Sequence, residues 1–546
     1  MLKRIIIAIA AIAVCGQLFA QDLKSGPYQL PYKNTYVKNV FVAENPYRTA
    51  APEPVQPKSY EEAKKILPAP VWEGHQQEID MYWHAWKIAI GNICHPQEGS
   101  GFTSSYLDVA YNGNIFMWDT CFMMLFARYG YQYFPFQKSL DNFYAKQHPD
   151  GFICREIRAD GSDCFERYDP TSTGPNLLPW VELEYFRQFG DIDRLHRIFP
   201  ALCGYAKWWK LNRTWQNGTY WSSGWGTGMD NMPRVDDEYS PIYSHGHMVW
   251  LDTNLQQILV NESLLQIGFY IERWQEIEDM EDEIKHLTKY VNEQLWSDET
   301  NFLHDQYADG SLCPTKGISA FWALQVDALE KDRLDKIVAH LDNEAEFDRP
   351  QRVPSLSADH KKYNPKGRYW QGGVWPGATY MVIDGLYNKD YRQKAYEVAS
   401  DHYNAVFQVW KDTGTFWEYY SPEAVEPGFM ARKDFVGWAG LPPIAVFIEY
   451  ILGIQSNYAE NKVEWTVNQL EAHGIERYPF GPEGTIDLKV AKRANAAAKP
   501  VISVKTEQPF DLVVNWGEGQ TKTIRVEKSG DYRLDESDDM GKYFFL

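Results

Sequence analysis

The sequence predicts a mainly α-helical protein, an (α/α)6 toroid followed by a small C-terminal β domain. From about residue 59 to 455, pairs of helical segments alternate with six long loops. Two helices fit between successive loops and one fits at each end, so the pattern indicates twelve helices. After residue 455 the pattern changes to short stretches of alternating polarity, separated by Gly and Pro, which is typical of β-strands. An irregular helical solenoid is the alternative, but no fixed sequence period favours it.

The first twenty residues have the pattern of a secretory signal. Lys3 and Arg4 precede an apolar run over residues 5–14, and Ala20 ends the segment. The run is too short to span a bilayer, and no later stretch is apolar enough to do so. We therefore expect a secreted or periplasmic protein with no membrane span. A lipoprotein anchor at Cys15 is the less favoured alternative, because Val14 stands where a small residue is normally required.

The remaining chain divides into three parts. Residues 21–75 are expected to form an extended, proline-rich arm and a first helix, and residues 76–455 the toroid. Residues 456–546 are expected to form a β-sandwich-like domain. Within the toroid, apolar residues recur at helical spacing between Leu195 and Trp209 and again between Trp274 and Val291.

The six loops are the first candidates for function, since loops of this length in a compact domain are usually functional. If all six lie on one face of the toroid, they line one concave site. Their approximate ranges are 100–118, 146–175, 213–247, 296–316, 345–373 and 411–436.

Charge and cysteine content exclude several classes of protein. The formal net charge of -20 disfavours binding to nucleic acid or to anionic membranes. Six cysteines follow Cys15, too few for a disulfide scaffold in so long a chain, although Cys154 and Cys164 flank a turn-rich segment and could be bridged. The chain has no Cys-x-x-Cys pair and no His-Glu-x-x-His motif, so we expect no metal site and no cofactor.

The loops place tryptophan and tyrosine next to carboxylates. Aromatic faces stack on the C–H faces of sugars, and carboxylates accept hydrogen bonds from hydroxyls, so these loops predict a carbohydrate site. Hydrolysis of a glycosidic bond with inversion requires one carboxylic acid and one carboxylate that activates water. Asp230 follows three glycines, and taken alone it is more typical of a turn. Glu418 lies between aromatic neighbours that favour a raised pKa, or it is a structural hydrogen-bond acceptor.

Five motifs occur in order along the chain: Trp118-Asp119, Gly228-Met-Asp-Asn-Met-Pro-Arg234, Tyr369-Trp-Gln-Gly-Gly-Val-Trp-Pro376, Trp417-Glu-Tyr-Tyr-Ser-Pro-Glu423 and Phe435-Val-Gly-Trp-Ala-Gly-Leu441. Together they resemble the motifs of glycoside hydrolase family 63, which includes processing α-glucosidases and the mannosylglycerate hydrolase type and is related to the trehalases. The resemblance covers about residues 76–455. It implies that Asp230 is the general acid, that Glu418 is the general base and that Asp119 contacts the sugar in the cleaved subsite.

The same motifs supply the remaining candidate substrate-binding residues. With Asp119 they are Trp118, Asn231, Arg234, Trp370, Gln371, Trp375, Trp417 and Trp438. The chain departs from the family where the base motif reads Glu418-Tyr-Tyr instead of Glu-Asn-Tyr, and it lacks the large N-terminal β domain of many members.

We therefore expect an exported, inverting, exo-acting glycoside hydrolase that cleaves a terminal α-glycoside, foremost an α-glucoside, of an oligosaccharide or small glycoside. Two alternatives remain from the residues alone. A polysaccharide lyase on the same toroid needs a Tyr or His base and cations that neutralise a uronate; no loop is rich in histidine beyond His245 and His247, which are more typical of ordinary polar loop residues. A non-catalytic glycan-binding protein keeps the tryptophans but has no need of both acids.

Overall fold

The computed structural model describes residues 39–109 and 111–534. The predicted signal sequence and residues 21–38 of the predicted arm lie outside these residues. The α-helices are Val40–Glu44, Tyr60–Ala63, Gln76–Gly91, Met117–Ala127, Asp141–Ala145, Leu178–Phe189, Ile192–Asn212, Gly224–Thr227, Leu251–Tyr270, Asp279–Tyr290, Lys331–Ala339, Pro376–Asn388 and Arg392–Thr413.

Tighter and wider helical turns extend several of these elements. The 3-10 segments are Pro46–Thr49, Arg128–Gly130, Phe136–Ser139, Trp274–Ile277, Ile318–Gln325, His340–Asp342, Trp438–Gly440 and Tyr458–Glu460, and the π-helical segments are Val291–Leu295 and Leu441–Ile451.

Six helical segments contact one another in a closed circuit, each touching the next and the last touching the first. Their central residues are almost all buried, because they are covered on every side by other helices. We call them the inner segments, and they are Met117–Ala127, Leu178–Phe189, Leu251–Tyr270, Ile318–Gln325, Pro376–Asn388 and Leu441–Ile451.

Further helices pack on the outside of this circuit. The helices that each contact one or two inner segments are Gln76–Gly91, Ile192–Asn212, Asp279–Tyr290, Lys331–Ala339 and Arg392–Thr413. The predicted helical face between Leu195 and Trp209 lies in one of them, Ile192–Asn212. That helix begins at Asp191, whose side chain accepts a hydrogen bond from the backbone N–H of Arg194. The preceding inner segment ends at Gly190, whose φ of 66° suits a residue without a Cβ.

Long loops precede the inner segments, as the sequence predicts, and they bring the candidate residues to one end of the circuit. Asp119 lies in the first turn of Met117–Ala127, and Trp375 directly precedes Pro376–Asn388. Trp438 begins the 3-10 turn that leads into Leu441–Ile451. The amino-terminal ends of the inner segments therefore mark the functional face.

The β domain consists of a five-stranded and a four-stranded sheet. The first contains Ala69–Trp72, His473–Pro479, Thr485–Val490, Val501–Lys505 and Gly530–Arg533, in that order; the second contains Gln520–Val526, Phe510–Trp516, Lys462–Val467 and Ile454–Asn457, in that order. Three further two-stranded pairs lie in the loops: Ile93–Cys94 with Tyr106–Leu107, Ile115–Phe116 with Glu156–Ile157, and Trp296–Ser297 with Phe302–Leu303.

One strand of the β domain comes from an unexpected place. Ala69–Trp72, assigned from sequence to the amino-terminal arm, pairs antiparallel with His473–Pro479 at the edge of the five-stranded sheet. The strand is short and contains Pro70, so it shows no alternating pattern; an edge position tolerates the missing N–H. The expected boundary at residue 456 therefore leaves out this strand.

Three properties of the described residues bear on the sequence-based expectations. The six cysteines between Cys94 and Cys313 are all free thiols, so the possible bridge between Cys154 and Cys164 is not formed. Within the described ranges, no helix is both long and apolar enough to cross a bilayer. Over the same part of the chain, no group of three or more His, Cys, Asp or Glu side chains could hold a metal ion.

Candidate active site

Two adjoining cavities lie at the amino-terminal ends of the inner segments. The inner cavity has a volume of about 130 Å³ and is lined by Trp118, Asp119, Arg155, Trp370 and Trp438, among others. The outer cavity has a volume of about 390 Å³ and is lined by Asn231, Arg368, Tyr419, Phe429 and Met430, among others. Five side chains line both cavities and form the boundary between them: Trp225, Asp230, Tyr369, Glu418 and Arg432.

The two predicted catalytic carboxylates therefore stand together. Asp230 comes from the loop before Leu251–Tyr270, and Glu418 from the loop before Leu441–Ile451. The two loops are almost 190 residues apart in sequence, and the circuit of inner segments brings them to the same boundary. The charge of Asp230 raises the pKa of Glu418, which shows that the groups interact.

Enclosure by protein raises the pKa of both groups. Burial raises the pKa of Asp230 to about 6, partly offset by the charge of Arg155 and by the side chains of Tyr369 and Trp225. Burial raises the pKa of Glu418 to about 7, and the guanidinium of Arg432 partly offsets this rise. Both groups therefore titrate near neutrality, where acid and base catalysis needs them.

Asp119 is a third acid in the inner cavity. Burial holds the pKa of Asp119 well above its ordinary value, and the charges of Glu418 and Asp230 act in the same direction. Arg155 is the nearby cation that opposes this shift. A carboxylate in the floor of the inner cavity is placed to accept hydrogen bonds from the hydroxyls of a bound sugar.

Arg155 and Arg432 are the two cations that line the inner cavity. Arg155 donates from Nε to the carbonyl of Thr171 at 2.7 Å, and its guanidinium lies 4.2 Å from the ring centroid of Phe165. Arg432 Nε lies 3.9 Å from Glu418 Oε2 and packs over the ring of Tyr111. The charge of Arg155 therefore opposes the rise in the pKa values of Asp119 and Asp230, and the charge of Arg432 opposes the rise in that of Glu418.

Aromatic rings form one wall of the inner cavity in layers. Trp370 lines the cavity and stacks on Trp375, with ring centroids 4.2 Å apart and planes within 4°. Trp375 in turn stacks on Tyr419 at 4.4 Å. Trp375 is buried and reaches neither cavity, so it supports Trp370 from behind and does not contact a ligand.

Trp118 and Trp438 line the inner cavity directly. The backbone of Gly228, with a φ of 73°, passes so close to Trp118 that a Cβ would lie 3.0 Å from its ring. This close approach explains one glycine of the Asp230 loop. Trp438 donates from Nε1 to the backbone carbonyl of Glu418 at 2.6 Å, which fixes the base-bearing segment.

Asn231 joins the Asp230 loop to the Tyr369 loop. Its Oδ1 accepts from the backbone N–H of Trp370 at 2.8 Å, and its Nδ2 donates to the carbonyl of Arg368 at 3.3 Å. Between them Tyr369 has a φ of 60°, a left-handed conformation that costs a non-glycine residue about 1–3 kcal/mol. Asn231 thus holds Tyr369 in a strained conformation beside Asp230.

Arg234 does not line either cavity, contrary to the expectation that it contacts the sugar. Its guanidinium is buried between Asp252 and Asp305 and donates two hydrogen bonds to each, at 2.6–2.8 Å. Although burial opposes the charge, these carboxylates raise the pKa of Arg234 above its ordinary value. Such a buried cation, with four hydrogen bonds to two carboxylates, anchors the Asp230 loop to the start of Leu251–Tyr270 and is not open to a ligand in either cavity.

Gln371 and Trp417 also lie away from the cavities. Gln371 donates from Nε2 to the carbonyl of Asn231 at 3.4 Å, so it belongs to the same junction between loops. Trp417 directs Nε1 to the hydroxyl of Thr413 at 3.0 Å. Trp417 forms an isolated bridge with Lys433, and the chain bends at Glu418, so that Glu418 lines the cavities while Trp417 does not.

The cavities also contain residues that the sequence did not single out. Arg155, Arg432 and Tyr111 have no aromatic and acidic neighbours of the kind that marked the other loops. Tyr369 and Phe435 lie inside the quoted motifs, and Trp225 lies inside the loop 213–247. In each case the sequence prediction rested on neighbouring tryptophans and acidic residues instead.

Comparisons with known proteins identify the family of the chain. Residues 113–432 match the model of the mannosylglycerate hydrolase MGH1-like glycoside hydrolase domain. An uncharacterised protein of Borreliella burgdorferi is 23% identical over 486 residues, covering 85% of this chain and 97% of that protein. A probable mannosyl-oligosaccharide glucosidase of Schizosaccharomyces pombe is 22% identical over 299 residues. The match covers 48% of this chain and 36% of the yeast protein.

The fold is shared with solved structures. The mannosylglycerate hydrolase of family GH63 from Thermus thermophilus, solved in complex with glucose, superposes with a TM-score of 0.54 at 18% identity, covering 67% of this chain and 99% of that one. The family model covers more than half of this chain and includes both Asp230 and Glu418. The chain therefore belongs to the mannosylglycerate hydrolase MGH1-like group of glycoside hydrolase family 63, and it is a glycoside hydrolase.

Proposed function

We propose that the protein is an exported, inverting, exo-acting glycoside hydrolase that removes a terminal α-linked sugar, foremost α-glucose. One observation carries this proposal: Asp230 and Glu418 both line the inner and the outer cavity. A terminal sugar in the inner cavity and a leaving group in the outer cavity would place the glycosidic bond between the two carboxyl groups. The export assignment rests on the first twenty residues.

In this mechanism Asp230 protonates the glycosidic oxygen, and Glu418 takes a proton from the water that attacks the anomeric carbon from the opposite face. Asp119 accepts hydrogen bonds from the bound sugar, while Trp118 and Trp370 pack on its apolar faces. The charge of Asp230 raises the pKa of Glu418, which favours the state in which one of the two carboxyl groups is protonated and the other is ionised. For an inverting pair we predict a carboxyl separation of roughly 6.5–9.5 Å, against about 5–5.5 Å for a retaining pair.

The scaffold that brings these loops together is, in our proposal, an (α/α)6 toroid. Its support is the closed circuit of six inner segments, with the outer helices each packed against one or two of them. In such a ring the six loops before the inner segments open on the same face, which accounts for the convergence of Asp119, Asp230 and Glu418 from separate loops.

The two pKa values set the expected pH dependence. The reaction requires Asp230 protonated and Glu418 ionised, whereas Asp230 has the lower pKa of the two, about 6 against about 7. Only a minor fraction of the free enzyme is then in the productive form, and this fraction is greatest between the two values. We expect a bell-shaped profile of kcat/KM with its limbs near pH 6 and pH 7.

A specific feature of the outer cavity favours one group of substrates within this class. Arg368 and Arg432 both line it, beside apolar Phe429 and Met430. Two guanidinium groups suit a leaving group that carries a carboxylate, because guanidinium and carboxylate form bidentate hydrogen bonds. A glycoside of glycerate is therefore a second candidate substrate beside a neutral α-glucoside.

The two alternative functions have less support. A lyase would require a Tyr or His base in the cavity. Tyr369 lines both cavities, but burial, together with the charges of Asp230 and Glu418, holds the pKa of Tyr369 well above its ordinary value, which disfavours its deprotonated form. His245 and His247 line neither cavity. They stack with Trp215 and with each other instead. A non-catalytic glycan-binding protein would not need two carboxylates with raised pKa values at the boundary.

The decisive experiment follows the first-formed anomer by NMR. The purified protein is tested against trehalose, kojibiose, nigerose, maltose, mannosylglycerate and glucosylglycerate. An α-linked substrate should release the β-anomer of the sugar; release of the α-anomer would show retention and would contradict the assigned roles of Asp230 and Glu418. Absence of hydrolysis across the whole panel would contradict the proposed substrate class.

A further inference from the structure

A third cavity, of about 510 Å³, lies between the helical part and the β domain. It is larger than the inner cavity at Asp230, and its volume falls within the range of small-molecule sites. We call it the aromatic–amide groove and define it by Tyr387, Tyr396, Thr466, Asn515, Trp516 and Thr521.

The groove is separate from the catalytic cavities. Tyr387 lies near the carboxyl-terminal end of Pro376–Asn388, whereas Trp375, at the catalytic end, directly precedes the same helix. At 1.5 Å per residue the two ends are roughly 17 Å apart. A sugar ring in the inner cavity therefore cannot also occupy the groove.

The floor of the groove is a row of hydroxyl and amide side chains across three neighbouring strands. Thr466 pairs in register with Asn515, and Asn515 pairs in register with Thr521. Side chains of successive strands stand about 4.8 Å apart on one face of a sheet, so the three polar groups form a continuous line. Asn515 Oδ1 accepts from the hydroxyl of Thr521, and its Nδ2 donates to Glu464 at 2.7 Å.

Aromatic side chains form the walls of the groove. Tyr387 and Tyr396 come from two different helices and are each half-buried, with part of each side chain open to the groove. Trp516 lines the end that lies in the β domain, and most of its ring is buried in the core. The guanidinium of Arg392 lies 4.8 Å from the ring centroid of Tyr387, so Tyr396 is the ring left to give apolar contact opposite the amide and hydroxyl groups.

The charges around the groove are compensated. Arg392 forms an ion pair with Glu464, and the Nζ atom of Lys462 lies 2.9 Å from the carboxylate of Glu460. Glu449, which also lines the groove, is paired with the buried guanidinium of Arg128. The groove therefore offers polar groups without an excess of either charge.

We propose that the aromatic–amide groove is a second, non-catalytic carbohydrate-binding site that takes a short neutral oligosaccharide. Sugars present apolar C–H faces and hydroxyls that both donate and accept, which matches the ring of Tyr396 opposite amides and hydroxyls. An anionic oligosaccharide would meet no free cation in the described part of the groove. The proposal does not depend on the catalytic roles of Asp230 and Glu418.

The test uses full-length protein carrying Asp230→Asn and Glu418→Gln, so that no probe is hydrolysed, labelled with 5-fluorotryptophan. The Trp516 resonance is identified in the ¹⁹F spectrum by its loss in Trp516→Phe, and that of Trp438 by its loss in Trp438→Phe. The first resonance reports on the groove and the second on the inner cavity. The probes are maltotetraose, isomaltotetraose, cellotetraose and α-1,6-mannotetraose, with tetragalacturonate as the anionic probe of equal length.

We expect at least one neutral tetrasaccharide to shift the Trp516 resonance saturably, and tetragalacturonate to shift it at least about tenfold more weakly. Tyr396→Ala and Gln520→Ala should each weaken the Trp516 response to the sugar, by about tenfold for Tyr396→Ala. Gln408→Ala, on the same helix as Tyr396 but outside the groove, should leave it unchanged.

Three results would overturn the proposal. These are no saturable shift of Trp516 with any neutral probe, an equal response to tetragalacturonate, or a shift that survives both groove substitutions. Gln520 is exposed, so its substitution tests the groove even if Tyr396→Ala fails to fold. The Trp438 response and the NMR assay of hydrolysis report on the catalytic site separately, so failure of either proposal is recognised without reference to the other.

Discussion

Two sets of carboxylates enclosed by the protein differ in how they are paired. Asp252 and Asp305 share Arg234, which donates two hydrogen bonds to each of them. Asp119, Asp230 and Glu418 line a cavity, and the nearest guanidinium atom to Glu418 is 3.9 Å away. Arg234 follows Asp230 closely in sequence, so one loop takes part in both sets.

The difference shows how pairing separates a structural from a functional acid. Removal of carboxylates from water costs free energy, and a fully paired cation offsets part of that cost within the fold. Burial also raises the pKa of Asp252, although Arg234 opposes that rise. In the second set the carboxylates have no such fully hydrogen-bonded cation, and burial raises the pKa values of Asp230 and Glu418 to about 6 and about 7, which leaves carboxyl groups able to exchange protons near neutral pH. The following predictions test this contrast.

The largest expected effect is the loss of activity in Asp230→Asn and Glu418→Gln. General acid or base catalysis contributes about 10²–10⁴-fold to the rate, so each variant should lose a factor of this order in kcat. The free energy of unfolding should stay the same or increase, because each substitution removes a poorly compensated charge. Steady-state kinetics and thermal unfolding on the same preparations measure both quantities.

Matched controls for these variants lie on the same loops. Asp237→Asn and Glu426→Gln remove exposed carboxylates a few residues from Asp230 and Glu418. They should leave kcat within about twofold, since surface charges contribute little. If either control lost as much activity as the matching variant, the choice of catalytic carboxylate would be wrong.

The opposite outcome is expected for Arg234→Met. The substitution leaves Asp252 and Asp305 buried without their cation, and breaking such a group costs about 3–5 kcal/mol. The free energy of unfolding should fall by this amount, or the protein should fail to accumulate. Chemical denaturation measures the loss.

Kinetics of any folded Arg234→Met protein then distinguish support from contact. A structural role predicts that KM for the substrate changes less than twofold in the fraction that remains folded. An Arg234→Met protein of normal stability with a strongly raised KM would instead place Arg234 at the substrate.

This contrast also explains which features of the fold and the site could be predicted from the sequence alone. The loops, the helical faces and the two carboxylates follow from local patterns of apolar spacing, glycine and aromatic residues. The misplaced Arg234 and Trp417 depend on information that those patterns lack. The partners of Arg234 lie 18 and 71 residues away, and the position of Trp417 outside the cavities depends on a bend of the chain inside a loop.

Two other features of the structure could not be predicted from the sequence for similar reasons. Arg155 reaches the site only because the loop before Leu178–Phe189 folds against the Asp230 loop, and nothing near it in sequence marks it. Ala69–Trp72 becomes a strand only because His473–Pro479, some 400 residues later, offers a free edge. Tertiary contacts of this kind override local preference.

A further difference between the two sets should appear in the pH dependence of stability. The pKa values of Asp230 and Glu418 rise from 3.8 to about 6 and from 4.5 to about 7 on folding. A carboxyl with a raised pKa contributes stability that is fully present below its unfolded value and is lost as the pH rises through its folded value. The stability that these two carboxyl groups contribute to the wild type should therefore be lost between about pH 4 and pH 7.

The double variant Asp230→Asn, Glu418→Gln should not show this loss. Relative to wild type, its free energy of unfolding should rise by about 5 kcal/mol as the pH rises from 4 to 7. Denaturation at several pH values gives the difference. Parallel curves for the two proteins would mean that the two carboxyl groups are not perturbed by enclosure.

Asp119→Asn tests whether the third acid belongs with the catalytic or with the binding groups. Loss of one charged hydrogen-bond acceptor for a sugar hydroxyl should cost about 1–3 kcal/mol in kcat/KM. The pH profile should keep both limbs, because Asp230 and Glu418 remain. Unchanged kcat/KM would remove Asp119 from the site, and loss of one limb would give it a proton-transfer role.

The smallest expected effect compares Trp417, which precedes Glu418 in sequence, with Trp438, which donates a hydrogen bond to the backbone of Glu418. Trp438 lines the inner cavity and donates to the carbonyl of Glu418, whereas Trp417 does not line it and bonds Thr413. Trp438→Phe leaves that carbonyl without its donor and should lower kcat/KM by about tenfold, close to the cost of one hydrogen bond. Trp417→Phe should change kcat/KM less than twofold. The two variants make the same chemical change, at a tryptophan that lines the cavity and at one that does not, so the ratio of their kcat/KM losses measures the effect of position. Equal losses in both would contradict the assignment of Trp438, and not Trp417, to the cavity.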